Sequence, residues 1–125
     1  MKLLVLSGTL AICRLAPDEP IPKWATGEFV SVTRTTDELS IVCGDDQVPA
    51  DATAERCWRC LRVAGTLDFS ETGVLASLAE PLAAAGISIF VVSTFDTDYL
   101  LFRDNSLSDA IAAMQEAGHA VDEPE

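Results

Sequence analysis

Basic residues are scarce in this chain. Eight lysines and arginines stand against twenty aspartates and glutamates, so the formal net charge at pH 7 is -12. Nucleic-acid binding depends on clustered Lys and Arg side chains that displace counterions from phosphate, and the sequence has no such cluster. The same shortage argues against an anionic membrane surface as a partner. The sequence therefore predicts no nucleic acid and no membrane partner, and its acidity fits either simple solubility or a preference for cationic ligands.

Histidine is almost absent, since His119 is the only one. It lies far from any serine or cysteine motif that would make a nucleophilic catalytic set, and we expect it to be structural or solvent-facing. Neither of the glycine-rich phosphate-binding motifs, GxxxxGK[ST] and GxGxxG, is present. The acidic pairs Asp45-Asp46 and Asp96/Asp98 are weak evidence for acid–base catalysis because they stand alone on predicted loops. We therefore expect a protein that is not an enzyme and uses no cofactor.

Long apolar runs are also missing, and none approaches the ~18 residues of a membrane span. Met1-Lys2 and the apolar stretch from Leu3 to Cys13 imitate a short signal peptide. Two details argue against export: Ile12 stands before the cysteine where a small residue is wanted, and Arg14 follows at once. We interpret the segment as strand and the protein as cytoplasmic.

Four cysteines allow disulfides, a metal site or simple core packing. Cys57-Trp-Arg-Cys60 is a CxxC motif, but no second pair of ligands completes a zinc site. A thioredoxin-like motif would open a helix, whereas this one continues into the extended-looking run 61–63. Buried free thiols in a reducing cytosol, with no metal, are the prediction.

The 125 residues suit one compact domain or two tightly fused small halves. In the first half, three prolines make 17–22 a loop, and strands are predicted at 29–33 and 39–42. Little helix is marked there. The predicted organisation is a degenerate half at 1–60, a second half at 61–121 and a flexible tail at 122–125.

The second half has a clearer pattern. It predicts strands at 61–64, 87–95 and 98–102, which should be central and adjacent in the sheet. It also predicts a helix from Ser70 to about Ala85, a second helix opened by a Ser106/Asp109 capping pair, and a short strand at 119–121. Pro81 interrupts the first helix. The inner helix faces are predicted to consist of Val74, Leu75, Leu78, Leu82, Leu107, Ile111 and Met114. This βαββαβ order is the ferredoxin-like α+β pattern, an antiparallel sheet with helices on one face.

Two segments carry a family resemblance, 67–75 (LDFSETGVL) and 86–101 (GISIFVVSTFDTDYLL). They resemble ACT domains, particularly the regulatory repeats of aspartate kinases and the cytosolic arginine sensors of the CASTOR type. Segments 29–34 and 38–43 resemble the strand pair in the first half of such modules. The resemblance implies two ACT-like halves, pairing of ACT units in a homodimer, and a small-molecule ligand, a free amino acid above all.

The resemblance also implies a set of ligand-binding residues. The ligand carboxylate is expected at the N–H groups of Thr72, Gly73 and Val74, where a helix start leaves donors unpaired. The ligand's positive end is expected near Asp98 and Glu71, and Asp68 replaces a glycine of the arginine sensors. The full set is Asp68, Phe69, Glu71, Thr72, Gly73, Val74, Thr94, Phe95 and Asp98.

Each of these residues has a structural alternative. Gly73 can relieve crowding between helix and strand, Asp98 can close the hairpin turn by bonding backbone N–H groups, and Glu71 can favour the helix dipole. Thr94 can be an ordinary strand residue, and Phe69 and Phe95 can be core residues. At the level of the whole protein, the alternative to a ligand sensor is a structural dimerisation module without a working site.

Overall fold

The computed structural model describes residues 1–65 and 73–123. In these residues the chain forms eight β-strands and two α-helices. In chain order they are β1 (Lys2–Val5), β2 (Leu10–Leu15), β3 (Ser31–Arg34), β4 (Leu39–Gly44), β5 (Ala54–Val63), α1 (Val74–Ala84), β6 (Phe90–Ser93), β7 (Asp98–Arg103), α2 (Leu107–Glu116) and β8 (Ala120–Asp122). The chain divides into two compact units, one of Met1–Ser7 with Arg59–Glu125 and one of Gly8–Trp58.

The unit Gly8–Trp58 is an antiparallel sheet. Its strand order is β3-β4-β2, followed by the first half of β5. One face of this sheet is a buried cluster of Ala11, Cys13, Leu39, Ile41, Cys43 and Val48. Apart from a short 3-10 turn at Asp45–Gln47, this unit, which is described throughout, has no helix. The strands predicted for the first half are therefore present. Both α-helices of the described residues belong to the other unit.

Strand β5 begins seven residues earlier than the sequence predicted, and Asp45 explains why. Its carboxylate accepts a 2.9 Å hydrogen bond from the Arg56 guanidinium and a 2.8 Å bond from the backbone N–H of Cys57. Cys57 has a positive φ of 63°, and the pairing of β5 with β2 is irregular opposite this residue. Asp45 thus anchors a β-bulge that lets β5 extend through a charged stretch.

The other unit contains the series β5-α1-β6-β7-α2-β8. Its strand order is β6-β7-β5-β1-β8, so β1 lies between β5 and β8. The pair β1–β8 is parallel, whereas β1–β5 and β6–β7 are antiparallel. Strand β6, predicted to be central, is an edge strand that pairs with β7 alone among the described residues.

Both helices contribute to one buried cluster on this sheet. Its members are Leu3, Val5, Leu61, Val63, Leu78, Leu82, Leu100, Phe102, Ala110 and Met114. Leu78, Leu82 and Met114 are buried as the helical periodicity predicted, but Leu75 is 38% exposed. In the first turn of α1 it is the neighbouring residue Val74 that packs against the cluster. Because α1 and α2 pack on the same cluster, the predicted arrangement of helices on one sheet face is confirmed for this unit.

The N-termini of both helices differ from the prediction, α1 in where it begins and α2 in how it is capped. Helix α1 begins after Gly73, and the predicted cap Ser70 lies outside the described residues. Helix α2 begins as predicted after Ser106, but the Ser106 side chain makes no capping bond, because the chain enters α2 through a 3-10 turn at Asp104–Ser106. The prediction of a capping pair was therefore wrong.

The predicted halves 1–60 and 61–121 meet within two residues of the observed division. The observed units are not contiguous in sequence, however, because β1 pairs with β5 and β8 and so brings the first seven residues to the C-terminal unit. The N-terminal apolar segment forms strands β1 and β2, as predicted. No helix of the described residues has the length and apolar character needed to cross a membrane.

Candidate ligand-binding site

The start of α1 is built around Gly73. Its φ of 77° lies in the left-handed region, which glycine adopts without the penalty of a side chain. Its carbonyl accepts the first bond of the helix from Ser77 N–H at 2.9 Å, and within residues 1–65 and 73–123 no side chain caps the helix. A β-carbon at Gly73 would meet none of the described atoms within 4 Å. The crowding alternative for Gly73 is therefore wrong, and the glycine is required by the backbone angle.

The turn between β6 and β7 is closed by two threonines. Thr94 N–H donates to the Thr97 carbonyl at 2.9 Å, and the Thr94 hydroxyl donates to the same carbonyl at 3.1 Å. The Thr94 hydroxyl also accepts a 3.3 Å bond from Thr97 N–H. Thr94 therefore shapes the turn itself.

Thr97 connects this turn to β5. It is 4% exposed and is the only buried polar residue in the described part of the chain. Its hydroxyl donates a 2.9 Å hydrogen bond to the Val63 carbonyl, so the cost of burying it is offset. Val63 ends β5, and the chain continues from there towards α1. The turn is thereby fixed beside the strand end that leads to the helix start.

Asp98 follows the turn at the start of β7 and is half-buried. Its carboxylate accepts a 2.6 Å hydrogen bond from the hydroxyl of Ser93, the residue directly opposite on β6. In residues 1–65 and 73–123 no backbone N–H donates to this carboxylate, and Thr94 and Thr97 close the turn instead. In the described residues Asp98 therefore bonds across the hairpin to Ser93 and not to the backbone N–H groups of the turn.

The stretch of sequence around Asp98 carries negative charge only. Residues 73–102 contain Glu80, Asp96 and Asp98 and no lysine or arginine. The nearest basic residue along the chain is Arg103, at the opposite end of β7. A cationic group that approaches this end of the hairpin meets carboxylates and no lysine or arginine from the segment 73–102 itself.

Phe95 lies in the same turn with 79% of its surface exposed. The alternative that it is a core residue is therefore wrong. Val74, in the first turn of α1, packs against the buried cluster of its unit.

Of the predicted site residues, the structure describes Gly73, Val74, Thr94, Phe95 and Asp98. The other four, Asp68, Phe69, Glu71 and Thr72, lie outside the described residues.

Ser93 is a neighbour of Asp98 that the predicted set does not contain. Serine and threonine at 93–94 fit an ordinary strand and a ligand role equally well, because serine in a β-branched run has no distinguishing pattern. The register of the hairpin supplies the missing signal: a turn closed by Thr94 and Thr97 places Ser93 opposite Asp98.

The cysteines offer no second site. All four are free, and three are buried as predicted, but Cys57 is exposed because it lies on the bulge of β5. Burial raises the pKa of Cys13 to about 11 and that of Cys60 to about 12, and it also raises the pKa of Cys43. The described residues contain no group of three or more side chains suited to a metal ion.

Comparison with known families identifies the fold. The profile of the ACT domain family matches residues 53–116, about half of the chain, and a profile for an N-terminal domain matches residues 8–51. The chain therefore belongs to the ACT domain family. The resemblance found in segments 67–75 and 86–101 is confirmed.

Among curated proteins, the chain is similar to the cytosolic arginine sensor for mTORC1 subunit 1 of Homo sapiens. The two are 41% identical over 59 residues, which are 46% of this chain and 18% of the sensor. The match thus spans less than a fifth of that relative.

Two solved structures give similarity over the full length. A protein from Agobacterium tumefaciens is 46% identical, with a TM-score of 0.93 over 99% of this chain and 93% of that one. The regulatory subunit of aspartate kinase from Thermus flavus has a TM-score of 0.66 over 93% of this chain and 96% of that one. At 11% identity the latter shows a shared fold alone, and it confirms the predicted ACT-type α+β architecture.

Proposed function

We propose that this protein is a regulatory ACT module that binds a free amino acid and signals through the pairing of ACT units. The observation that carries the proposal is the state of Asp98. It is a half-buried carboxylate that is held by one serine hydroxyl, and no basic residue lies in the surrounding sequence 73–102. A carboxylate in such a setting favours a cationic partner from outside the chain.

The start of α1 supplies the complementary group. The N–H groups at a helix start have no intrahelical acceptor and carry partial positive charge. A β-carbon at Gly73 would contact none of the described atoms within 4 Å, and no described side chain caps this helix start. The ligand carboxylate binds the N–H groups of Thr72, Gly73 and Val74, and its amine or a basic side chain binds Asp98 and Glu71. Asp68, Phe69, Thr94 and Phe95 complete the proposed site.

The similarity to a curated relative supports a cationic amino acid as the first ligand to test. The curated relative is named an arginine sensor, and the acidic hairpin of this chain suits arginine or lysine better than an acidic amino acid.

We further propose that the protein is cytoplasmic, works as a homodimer and performs no catalysis. Its proposed organisation is a degenerate ACT-like half at 1–60, the ACT domain at 61–121 and a tail at 122–125.

A structural dimerisation module is the second candidate, and β6 favours it. This edge strand lies in the run 87–95, which has no charged residue. Uncharged apolar edges are prone to pair with another strand. Pairing alone would not need a ligand.

A thermal-shift screen of the twenty common amino acids separates the two candidates. A ligand that binds only the folded state stabilises it by about 2.7 kcal/mol at a hundred times its Kd. The sensor predicts that one or a few amino acids raise the Tm and that the others do not. If none raises the Tm at millimolar concentration, the amino-acid proposal is wrong and the structural module replaces it.

A further inference from the structure

We propose that Ser93 is a positioning residue of the ligand site, which holds the Asp98 carboxylate in the orientation that receives the ligand's amine. This inference rests on the proposed function and assigns a role to a residue outside the predicted set. Its basis is the 2.6 Å hydrogen bond from the Ser93 hydroxyl to Oδ1 of Asp98.

The hydrogen bond is well placed for this role. Ser93 and Asp98 are directly opposite in the antiparallel pair β6–β7, so their side chains lie on the same face of the sheet. That face is the one covered by the helices, because the neighbouring pair Val91 and Leu100 packs into the buried cluster. The carboxylate is therefore presented on the side of the sheet where α1 lies.

The bond also restricts a side chain that would otherwise rotate. An aspartate has two freely populated χ angles, and ordering it on ligand binding costs free energy. A hydroxyl donor to Oδ1 fixes the carboxylate before the ligand arrives. It leaves Oδ2 without a hydrogen-bond partner in residues 1–65 and 73–123, and so available to an ammonium or guanidinium group.

The backbone around the pair is rigid enough for the hydroxyl to matter. Thr94 and Thr97 close the turn between Ser93 and Asp98 with three hydrogen bonds, and Thr97 is further bonded to Val63. The separation of the two strands at this position is thus set by neighbours. Removing the Ser93 hydroxyl frees the carboxylate without opening the hairpin.

The test is calorimetry of Ser93→Ala with the amino acid that gives the largest thermal shift on the wild-type protein. Loss of one hydrogen bond to a charged group at a partly exposed site weakens binding by about three- to tenfold. Ser93→Thr keeps a hydroxyl on a strand-favouring residue and should restore most of the affinity. Ser88→Ala, which removes another exposed serine of the same segment, is the matched control and should bind like the wild type.

A double-mutant cycle shows whether Ser93 acts through Asp98. If it does, Ser93→Ala causes no further loss of affinity in an Asp98→Asn background. The inference is overturned if Ser93→Ala binds as tightly as the wild type, if Ser93→Thr does not restore affinity, or if the two losses multiply in the double variant. If the wild type binds no amino acid, the proposed function fails first and this inference fails with it.

Discussion

At the scale of single residues, the polar side chains of this protein act on backbone more often than on each other. Asp45 bonds the N–H of Cys57, Thr94 bonds the carbonyl of Thr97, and Thr97 bonds the carbonyl of Val63. Each satisfies a backbone group at a bulge or a turn, where the regular ladder is interrupted. Asp98 bonds a neutral hydroxyl, that of Ser93, whereas the Asp45 carboxylate also bonds the Arg56 guanidinium. A carboxylate that has no basic partner among the described residues is a candidate ligand contact.

The cysteines give the first prediction at this scale. In the folded protein at pH 8, iodoacetamide should modify Cys57 alone, since the other three thiols are buried and protonated. Mass spectrometry should find one modification before unfolding and four in denaturant. Cys57→Ser should abolish the modification of the folded protein. Two or more modified thiols in the folded wild type would contradict this account of the bulge.

Cys60 predicts how stability changes at alkaline pH. Burial raises its pKa from 9.0 to about 12. Above pH 9 the unfolded state therefore releases a proton that the folded state keeps, and stability falls as the pH rises. The cost of Cys60→Ala, measured by urea unfolding, should be smaller at pH 10 than at pH 8. A cost that is equal at both pH values would show that the thiol ionises as easily in the folded protein.

At the scale of elements, α1 continues through Pro81 with help from outside the helix. A proline has no N–H to offer the carbonyl four residues earlier, here that of Ser77. The ring of His119 supplies the missing donor, with Nε2 3.1 Å from the Ser77 oxygen. His119 precedes β8, so this bond ties the middle of α1 to the edge of the sheet.

Pro81 and His119 should therefore be coupled in stability. Pro81→Ala restores the helical N–H and should stabilise the protein by about 1–3 kcal/mol. His119→Ala should cost about 0.5–1 kcal/mol in the wild type, where it leaves the Ser77 carbonyl unpaired, and less in the Pro81→Ala background. Chemical unfolding of the four proteins measures the coupling. An identical cost of His119→Ala in both backgrounds would contradict the proposed role.

The helices and strands also show which parts of the fold the sequence predicts. The apolar periodicity of 74–82 and 107–114 predicted which helix residues face the core, because that signal is local. Leu75 was misplaced because Val74, and not Leu75, packs against the core from the first helical turn. The first half of β5 was missed because its charged residues have no strand pattern and depend on the distant side chain of Asp45.

The candidate site was also only partly predictable from the sequence. Asp98 and Gly73 could be chosen from the sequence because each has a family counterpart. The structural reasons for these residues could not be predicted. The left-handed φ of Gly73 depends on the tertiary structure. Asp98 does not bond the backbone of the turn because Thr94 already closes it. The sequence could not decide between a strand role and a ligand role for Ser93, because its bond to Asp98 depends on strand register.

At the scale of the whole molecule, a net charge of -12 opposes self-association everywhere except at surfaces without charge. The edge strand β6 is such a surface. We expect a homodimer by light scattering at tens of micromolar, and Val92→Lys should shift it towards monomer because an edge lysine opposes strand pairing. Ala112→Lys, the same charge change on the exposed side of α2, is the control. A wild type that is only monomeric would contradict the pairing.

The central claim is that an amino acid binds between the start of α1 and Asp98. Its most direct test is calorimetry of the best amino-acid ligand with the wild type and with Asp98→Asn, which removes the charge and keeps the shape. A charge-assisted hydrogen bond contributes roughly 1.5–3 kcal/mol, so the account predicts that Asp98→Asn binds about ten to a hundred times more weakly. An unchanged affinity would show that the ligand binds elsewhere and would contradict the account.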